Sequence, residues 1–339
     1  MKINQKYIAD ILKVSRVTVT KALQDHPDIS EETKSKIKKL ADELGYIPNG
    51  VGRSLSLKRT GMIGVVIPKI NHSFFSSVIE EMYQSAIELG YQIILMVSFE
   101  DEATELANVK SLLSMNVDGI LIDSVSVNPP YKSFDLVVKH KKPLIYFDRK
   151  PLGINQPGVF FEDYELSYQL TKEMTNRGYQ DILYMTGSQQ INICYNRFEG
   201  FKKALKEAGL SIEKSRIINT ELDKKDAKKS FMKYINKGNK LPQAVVCVND
   251  SVALGVYLAC EKLKISIPED LGVFGFGHVR VSGLVQPPLS TVKLNFKEAS
   301  RSAIQKLSYL IKEGSQDSVI ENQVFNGEVI YRGSIKEKA

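Results

Sequence analysis

The chain has 339 residues, enough to bury hydrophobic cores in two or three domains. Its composition, 43% hydrophobic and 25% charged, is that of an ordinary globular protein and excludes a disordered chain. The net charge is +7, and residues 1–60 contribute +5 of it, from 12 basic and 7 acidic side chains. A basic head on a nearly neutral body favours phosphate contact by the head, although charge alone also allows a solvated basic surface.

Three cysteines, Cys194, Cys247 and Cys260, lie in apolar or small-residue runs without CxxC spacing or nearby histidines. We expect them to be buried reduced thiols, and we predict neither a metal site nor a cofactor. No apolar run reaches the roughly 18 residues that a membrane-spanning helix needs. The N-terminus also lacks the apolar segment of a signal peptide. These patterns predict a cytoplasmic protein.

Residues 4–45 are predicted to form three short helices. Asn4 and Ser15 are suited to cap the first two helices, and Ser30 opens the third; each precedes apolar residues at helical spacing. The tight junction between Val14 and Ser15 is typical of a helix-turn-helix, whose second helix enters the major groove of DNA.

Residues 46–60 form a connector. Pro48 suits the first turn of a helix, but Gly50 and Gly52 each cost about 1 kcal/mol relative to alanine. We predict a marginal helix that needs a partner to form, and the alternative is a flexible linker.

From residue 62 onward, apolar strands alternate with amphipathic helices, and a terminal pair of extended runs follows the last helix. This pattern predicts an α/β fold with two lobes of doubly wound parallel sheet. The predicted strands are 62–68, 91–98, 117–123, 143–148, 158–161, 182–187, 216–219, 244–249 and 271–277. The predicted helices are 74–89, 102–115, 166–177, 197–208, 227–235, 251–263 and 297–312.

Short motifs recur along nearly the full length in a fixed order. They are Val14-Ser15-x-x-Thr18-Val19, Leu44-Gly45-Tyr46-Ile47-Pro48-Asn49, Ser54-Leu55, Ile63-Gly64-Val65-Val66, Phe74-Phe75, Val117-Asp118-Gly119-Ile120, Phe147-Asp148-Arg149, Arg197-Phe198-Glu199-Gly200-Phe201, Val248-Asn249-Asp250-Ser251-Val252-Ala253-Leu254-Gly255 and Pro287-Pro288-Leu289-Ser290-Thr291-Val292. In this order and spacing the chain resembles the lactose-repressor (LacI/GalR) family of transcription regulators.

The resemblance implies an all-α DNA-binding domain at 1–45, a hinge at 46–60, and a core like the periplasmic binding proteins at 61–339. The core would be a two-lobed effector-binding and dimerisation domain. Its N-terminal lobe would take residues 62–161 and 293–321, and its C-terminal lobe 163–289 and 325–335. The chain would cross between lobes near 162–163, 290–291 and 322–323.

The start of the second helix is expected to contact DNA bases. Arg16 can bind guanine in bidentate fashion, whereas Val17 can touch only a thymine methyl or fill space. Lys21 stands where the family usually has arginine, so it lacks the planar fork that makes arginine selective. The resemblance makes Leu55 the wedge that enters the minor groove. The full set of predicted DNA contacts is Asn4, Ser15, Arg16, Val17, Thr18, Thr20, Lys21, Asn49, Arg53 and Leu55.

An effector is expected at the carboxyl ends of the strands, between the lobes. Asp148, Arg197 and Asn249 could bind sugar hydroxyls, and Phe74 could cover the C–H face of a sugar, whereas Phe75 is assigned to the core. Arg197 has the alternative role of a structural ion pair. The predicted effector contacts are Asn71, Ser73, Phe74, Asp123, Asp148, Ile191, Ile193, Arg197, Asn249, Gly277 and His278.

Two departures from sugar-responsive relatives weaken a sugar assignment. Gly277 stands where many of them have aspartate, and Ile191 and Ile193 are apolar where some have polar groups. His278 could replace the lost polarity or face solvent. A phosphorylated, apolar or absent effector therefore stays open.

The leading hypothesis is a DNA-binding dimer, without tetramers, whose affinity for a near-palindromic operator changes with a small molecule, most simply a sugar or its derivative. Repression is the default, and a non-sugar co-repressor is an alternative. A transport-type sugar-binding protein would require export. An α/β enzyme would require a nucleophile, P-loop or metal cluster, and the four scattered histidines form no such group.

Overall fold

The computed structural model describes residues 3–47, 59–70, 73–125, 129–151, 153–314 and 321–336. The chain divides into two compact units, Met1–Thr60 and Gly61–Ala339. Within the described ranges, no helix is long and apolar enough to cross a membrane.

The first unit contains three helices: α1 (Gln5–Leu12), α2 (Arg16–Leu23) and α3 (Glu31–Glu43). At each helix start the side-chain oxygen of the capping residue, Asn4, Ser15 or Ser30, accepts a hydrogen bond from a backbone N–H, so the predicted helix starts are confirmed. The three helices share one small buried core, made of Ile8, Ala9, Val19, Ala22, Ile37 and Ala41. Burial of this stripe leaves the N-terminal face of α2 exposed.

The second unit is an α/β structure with mainly parallel sheets, as predicted. Its strands are β1 (Met62–Ile67), β2 (Gln92–Val97), β3 (Gly119–Ile122), β4 (Leu144–Phe147), β5 (Gly158–Phe161), β6 (Ile182–Thr186), β7 (Ile217–Asn219), β8 (Ala244–Cys247), β9 (Gly272–Phe274), β10 (Thr291–Leu294), β11 (Gln323–Phe325) and β12 (Gly327–Ile330). Its helices are α4 (Ser73–Glu88), α5 (Glu102–Ser114), α6 (Lys132–Lys139), α7 (Asp163–Asn176), α8 (Asn192–Glu207), α9 (Lys224–Asn236), α10 (Asp250–Leu263) and α11 (Phe296–Glu313).

Two parallel sheets dominate this unit. The six-stranded sheet has the order β11-β5-β4-β3-β1-β2, and the four-stranded sheet has the order β7-β6-β8-β9. A two-stranded antiparallel ribbon joins β10 to β12. Every residue is buried in five of the strands, β3, β4, β6, β8 and β9. Helices cover both faces of the two sheets and exclude water from these strands.

Several element boundaries differ from the sequence-based expectations. The predicted helices 166–177 and 197–208 begin three and five residues earlier, at Asp163 and Asn192. The first turn of α7 is largely polar, so apolar periodicity does not mark it, whereas the first turn of α8 contains the buried Ile193 and Cys194. Helix α6, which has eight residues, was not predicted. Strand β11 pairs in parallel with β5, so residues 323–325 lie in the six-stranded sheet.

Helices α7 and α8 approach each other closely beside the four-stranded sheet. At Gly200 of α8, a β-carbon would lie 2.2 Å from the carbonyl oxygen of Tyr164 and 2.9 Å from the backbone nitrogen of Tyr168. Only glycine therefore allows this backbone-to-backbone contact. The contact limits the spacing between α7 and α8, and α8 also carries Ile193 and Arg197.

Candidate functional site

Helix α2 presents an exposed polar end. Ser15, Arg16 and Val17 are exposed at its start, and Val17 has 64% of its surface accessible. The Ser15 hydroxyl accepts a hydrogen bond from the Thr18 backbone nitrogen at 3.0 Å and lies 2.8 Å from the Thr18 hydroxyl. These contacts hold the first turn of α2, and the side chain of Arg16 is left pointing away from the core stripe of Val19 and Ala22.

Two predicted DNA contacts on α2 have partners within the protein. The Thr20 hydroxyl lies 3.0 Å from Gln5 Oε1 and 3.0 Å from the Arg16 carbonyl oxygen, and the two acceptors share its one proton. Lys21 Nζ lies 2.6 Å from Asp28 Oδ2 in an exposed ion pair. Asn4 is occupied as well, because its side chain caps α1 by accepting from the Tyr7 nitrogen. Any phosphate contact by these groups must compete with partners already in place.

Four predicted site residues, Asn49, Arg53, Leu55 and Asn71, lie outside the described residues. The structure describes Ser73 as the first residue of α4, and its side chain also lies outside the described part.

A small cavity lies at the carboxyl ends of strands from both sheets and encloses about 50 Å³. This volume holds a few water molecules, whereas sites for drug-sized ligands occupy about 300–1,000 Å³. Of the predicted effector residues, six line the cavity: Phe74, Asp148, Ile193, Arg197, Asn249 and Gly277. The described lining also includes Lys69, Phe75, Glu100, Arg149, Leu222, Phe276 and Leu294.

Asp148 is the most unusual residue of the cavity. It has a positive φ of 60° although it is not glycine, and its side chain is buried with 4% exposure. Among the described residues its Oδ1 atom has no hydrogen-bond partner. Burial raises the pKa of the Asp148 carboxyl, and the nearby Arg197 and Arg149 lower it. A buried acceptor without a donor is costly, so this atom is available to a ligand.

Arg149 connects the cavity to a buried acidic group. Its guanidinium donates to Glu100 Oε2 at 2.8 Å, and its Nε lies 3.5 Å from Asp123 Oδ1. Asp123 is fully buried, and desolvation raises the pKa of its carboxyl well above the ordinary value despite the charge on Arg149. Asp123 does not line the cavity; it supports the arginine that does.

Arg197 is held by contacts on three sides. Its Nε donates to Asp163 Oδ1 at 2.7 Å, its terminal nitrogen donates to the Val248 carbonyl at 2.6 Å, and its guanidinium lies 3.8 Å from the ring centre of Phe276. Burial raises the pKa of Asp163 to about 6, although Arg197 opposes this shift. The structural ion pair considered above for Arg197 is therefore present, and Arg197 also borders the cavity.

The other lining residues have structural contacts too. Asn249 caps α10 by accepting from the Val252 nitrogen at 2.8 Å, and it donates to the Leu222 carbonyl at 3.3 Å. Phe74 packs edge-to-face against three rings, Phe75, Phe161 and Phe296. Both residues combine packing or capping with a position at the cavity wall.

Besides Asp123, two predicted effector residues lie away from the described lining. Ile191 precedes α8 and packs against the core of the four-stranded sheet. The ring of His278 lies 2.7 Å from the guanidinium of Arg332, and partial burial together with that charge lowers its pKa. His278 is thus half-buried against a cation. It neither lines the cavity, where it could replace the lost polarity, nor faces solvent freely.

Side chains also bridge the two sheets across the cavity. Asn192 of α8 donates to the Asp148 carbonyl at 3.1 Å, and Lys69, after β1, donates to the Glu221 carbonyl at 3.4 Å. These two hydrogen bonds join the strand ends of the six-stranded sheet to the segments beside the four-stranded sheet. Both hydrogen bonds involve residues at or next to the cavity.

Three of the lining residues that were not predicted could have been found from their positions in the sequence. Lys69 and Glu100 follow β1 and β2, and Arg149 follows β4, so the rule that ligands sit at the carboxyl ends of strands selects all three. Leu222 and Leu294 had no such mark, because isolated leucines are ordinary core residues.

Comparison with known proteins identifies both units. A family model described as "Bacterial regulatory proteins, lacI family" matches residues 6–49. One described as "Periplasmic binding proteins and sugar binding domain of LacI family" matches residues 60–328. A structure of the lac repressor dimer bound to operator and an anti-inducer has a TM-score of 0.83, with 20% identity and coverage of 98% of this chain and 99% of that one. This last likeness concerns the fold alone.

Similar sequences are those of transcriptional repressors. PurR of Vibrio vulnificus is 27% identical over 333 residues, covering 98% of both chains. The ribose operon repressor of Haemophilus influenzae is 26% identical over 312 residues, covering 92% of this chain and 93% of the relative. The alternatives of an enzyme and of a transport-type binding protein are therefore wrong. The chain belongs to the LacI family of bacterial regulatory proteins, with a helix-turn-helix that binds DNA and a core that binds an effector.

Proposed function

We propose that this protein is a repressor that binds a near-palindromic operator as a homodimer, and that a small molecule in the cavity controls its operator affinity. A sugar or sugar derivative is the favoured effector, in keeping with the ribose operon repressor among the relatives. A non-sugar co-repressor is the second candidate, since Gly277 and Ile193 give the cavity wall little polarity at their positions. Its place of action would be the cytoplasm, where an operator is found.

The observation that carries the effector proposal is the unpartnered, buried Asp148 oxygen at the cavity wall. A ligand that donates a hydrogen bond to this oxygen removes the cost of burying it alone. Hydroxyl groups of a polyol are such donors, and the ring of Phe74 offers an apolar surface beside them. The remaining predicted contacts, Asn249 and Arg197, border the same space.

DNA recognition is proposed to centre on the exposed start of α2. Arg16 would contact a guanine edge, and Val17 would contact a thymine methyl. Because operators with two half-sites match a two-fold protein, a dimer would place one α2 helix in each half-site. Asn49, Arg53 and Leu55 of the connector would bind between the half-sites, with Leu55 in the minor groove.

Control by the effector is proposed to act through the contacts that bridge the sheets. We assign the six-stranded and four-stranded sheets to two lobes, with the predicted boundaries adjusted so that β11 belongs to the first lobe. The hydrogen bonds of Asn192 and Lys69 hold these lobes together. A ligand shifts the lobes only by its difference in affinity for the closed and open arrangements.

The DNA-binding proposal is tested by selecting genomic fragments bound by the full chain at moderate salt. We expect one enriched near-palindrome, and a gel shift in which unrelated duplexes compete at least about a thousandfold less well. Binding without any preferred sequence would contradict a repressor function.

The effector proposal is tested by a thermal-shift screen of sugars, sugar phosphates and nucleobases, because a ligand that binds the native state raises its melting temperature. Asp148→Asn keeps the left-handed backbone acceptable while it removes the charge, so it should reduce the shift caused by any hit. Asp181→Asn, at a carboxyl far from the cavity lining, is the matched control and should leave the shift unchanged. Equal shifts in both variants would show that Asp148 does not bind the ligand.

A further inference from the structure

Helix α9 carries the densest positive charge of the core. Residues 223–240 contain seven lysines and two aspartates, a net charge of +5, whereas the core from residue 61 onward totals +2. The rest of the core is therefore negative overall, at −3. Residues 1–60 carry the same net charge of +5, but it is spread over a longer segment than in residues 223–240. The core thus has its own concentrated basic segment.

The arrangement of α9 places most of these lysines on one surface. Ala227, Phe231 and Tyr234 are buried on the inner side of the helix. The outer side forms what we call the basic face, consisting of Lys225, Lys228, Lys229, Lys233 and Lys237, which border one shallow surface groove together with Met232 and Asn236. Four of the five lysines are exposed, and Lys228 is half-buried.

No lysine of the basic face has an acidic partner among the described residues. The two aspartates of the segment are used elsewhere: Asp223 caps α9 by accepting from the nitrogens of Lys225 and Asp226, at 2.8 and 2.9 Å. Asp226 accepts from the Glu221 nitrogen at 3.2 Å. By contrast, Lys202 and Lys203 on α8 each pair with a glutamate of their own helix, at 2.6 and 2.9 Å.

This arrangement opposes the stability of the helix. Lys225, Lys229, Lys233 and Lys237 follow one another at intervals of four residues, where like charges destabilise a helix. Lys225 also lies in the first turn, where the helix dipole disfavours a cation. An external polyanion would relieve both effects. The charges thus fit a partner better than they fit the isolated fold.

We propose that the basic face of α9 is a second, sequence-independent binding surface for the phosphate backbone of duplex DNA. The row from Lys225 to Lys237 spans twelve residues, or about 18 Å of helix. Duplex DNA presents about ten phosphates over that length of its axis. Lysines are flexible point charges, which suit phosphates without reading bases. A protein partner fits less well, because Met232 is the sole large apolar side chain among the described residues of the groove, and interfaces have an apolar centre.

The proposal is tested with the full chain and a non-operator duplex of about 60 base pairs, by fluorescence anisotropy at salt concentrations from 50 to 200 mM. The triple variant Lys225→Gln, Lys229→Gln and Lys233→Gln removes three charges from the basic face. If each lysine neutralises one phosphate, the slope of log affinity against log salt becomes shallower by about 2.7. Over this fourfold salt range, the wild type then loses about 40-fold more affinity than the variant does.

The matched control is Lys202→Gln, Lys203→Gln and Lys206→Gln on α8, which changes the net charge by the same amount. Its salt slope should equal that of the wild type. An α9 variant with the wild-type slope would overturn the proposal. A slope reduced equally in the α9 and α8 variants would overturn it too, since that result indicates net charge alone.

Lysine acylation of the unmodified protein provides a second readout that does not depend on variant folding. We expect the non-operator duplex to slow acylation of Lys225, Lys229 and Lys233 several-fold, and to leave Lys206 unaffected. Unprotected α9 lysines would contradict the proposal. The outcome is independent of the repressor function, because sequence preference is measured separately on the operator and should persist in the α9 variant.

Discussion

Arg16 is the residue of α2 that we propose to read a base, because two other polar candidates on the helix have partners within the protein. Thr20 binds Gln5, and Lys21 is paired with Asp28. Arg16 lies on the exposed first turn beside Val17, where side chains of a recognition helix reach base edges.

Replacing Arg16 by alanine should relax the base preference at one position of each half-site and cost about 1–3 kcal/mol of binding free energy there. Competition with operators mutated one base pair at a time measures this effect. Lys6→Ala, an exposed cation on α1, serves as the control for a lost charge. A uniform loss over all sequences would instead assign Arg16 to a phosphate.

Asp163 gives a residue-scale prediction about pH. Burial raises its native pKa to about 6, whereas an aspartate in an unfolded chain titrates near 3.9. The native state therefore holds more protons between about pH 4 and 6, and the free energy of unfolding falls as pH rises through this window, by up to about 1.4 kcal/mol per pH unit. Asp163→Asn should make this fall shallower.

Urea unfolding at half-unit steps from pH 4.5 to 7 measures the slope for the wild type and for Asp163→Asn. Asp101→Asn is the control, because hydrogen bonds from Thr104 lower the pKa of the exposed Asp101 and it does not titrate in this window. If Asp163→Asn keeps the wild-type slope, then the carboxyl is not protonated near pH 6.

At the scale of elements, the contact between α7 and α8 determines where Arg197 lies. Gly200 is three residues after Arg197, and its missing side chain lets α8 touch the backbone of Tyr164 and Tyr168. Asp163, the partner of Arg197, is the first residue of α7. The same helix pair thus supplies both members of the buried ion pair, so their geometry depends on the helix spacing.

Gly200→Ala should destabilise the protein by about 1–3 kcal/mol through overpacking, even though alanine normally favours a helix interior by about 1 kcal/mol. The reason is that the new methyl group would overlap the Tyr164 carbonyl. Denaturant melts check the change, and Lys203→Ala on the exposed side of α8 should stay within about 0.5 kcal/mol of the wild type. A stabilised Gly200→Ala variant would show that α7 can move away without cost.

At the scale of the whole molecule, each chain of the proposed dimer binds one half-site of the operator, and the ligand-binding core controls the binding of both. Two copies of α2 bound to one operator would release counterions at both half-sites, so affinity should depend steeply on salt. In the proposed dimer, the core would pair the two chains and the connector would contact the centre of the operator. The two α2 helices would each contact the bases of one half-site.

Leu55→Ala should weaken operator binding while it leaves the dimer intact, because it removes an apolar wedge and no core contact is proposed for it. Sedimentation should show a dimer for both proteins, and a gel shift should show the loss of affinity. A tetramer, or unchanged operator affinity, would contradict the predicted assembly or the wedge. Ser56→Ala in the same connector is a control for substitution without loss of an apolar side chain.

Much of the fold was predictable from the sequence because caps and periodicity are local signals. Ser15, for example, marks the start of α2 by residue type alone, and β5 ends where its apolar run ends. The cavity was only partly predictable, since its lining depends on which strand ends meet. Arg197 shows the limit: its type suggests a ligand contact, whereas its bonds to Asp163 and Val248 depend on helix packing distant in sequence.

The hydrogen bond from Asn192 to the Asp148 carbonyl has a consequence for the rate of effector capture. We predict that this bridge opens before a ligand enters the small cavity. The observed association rate should then level off at high ligand concentration, at the rate constant for opening. Asn192→Ala, which lacks the bridge, should raise that plateau. Stopped-flow mixing of protein and ligand would make the opening step directly visible.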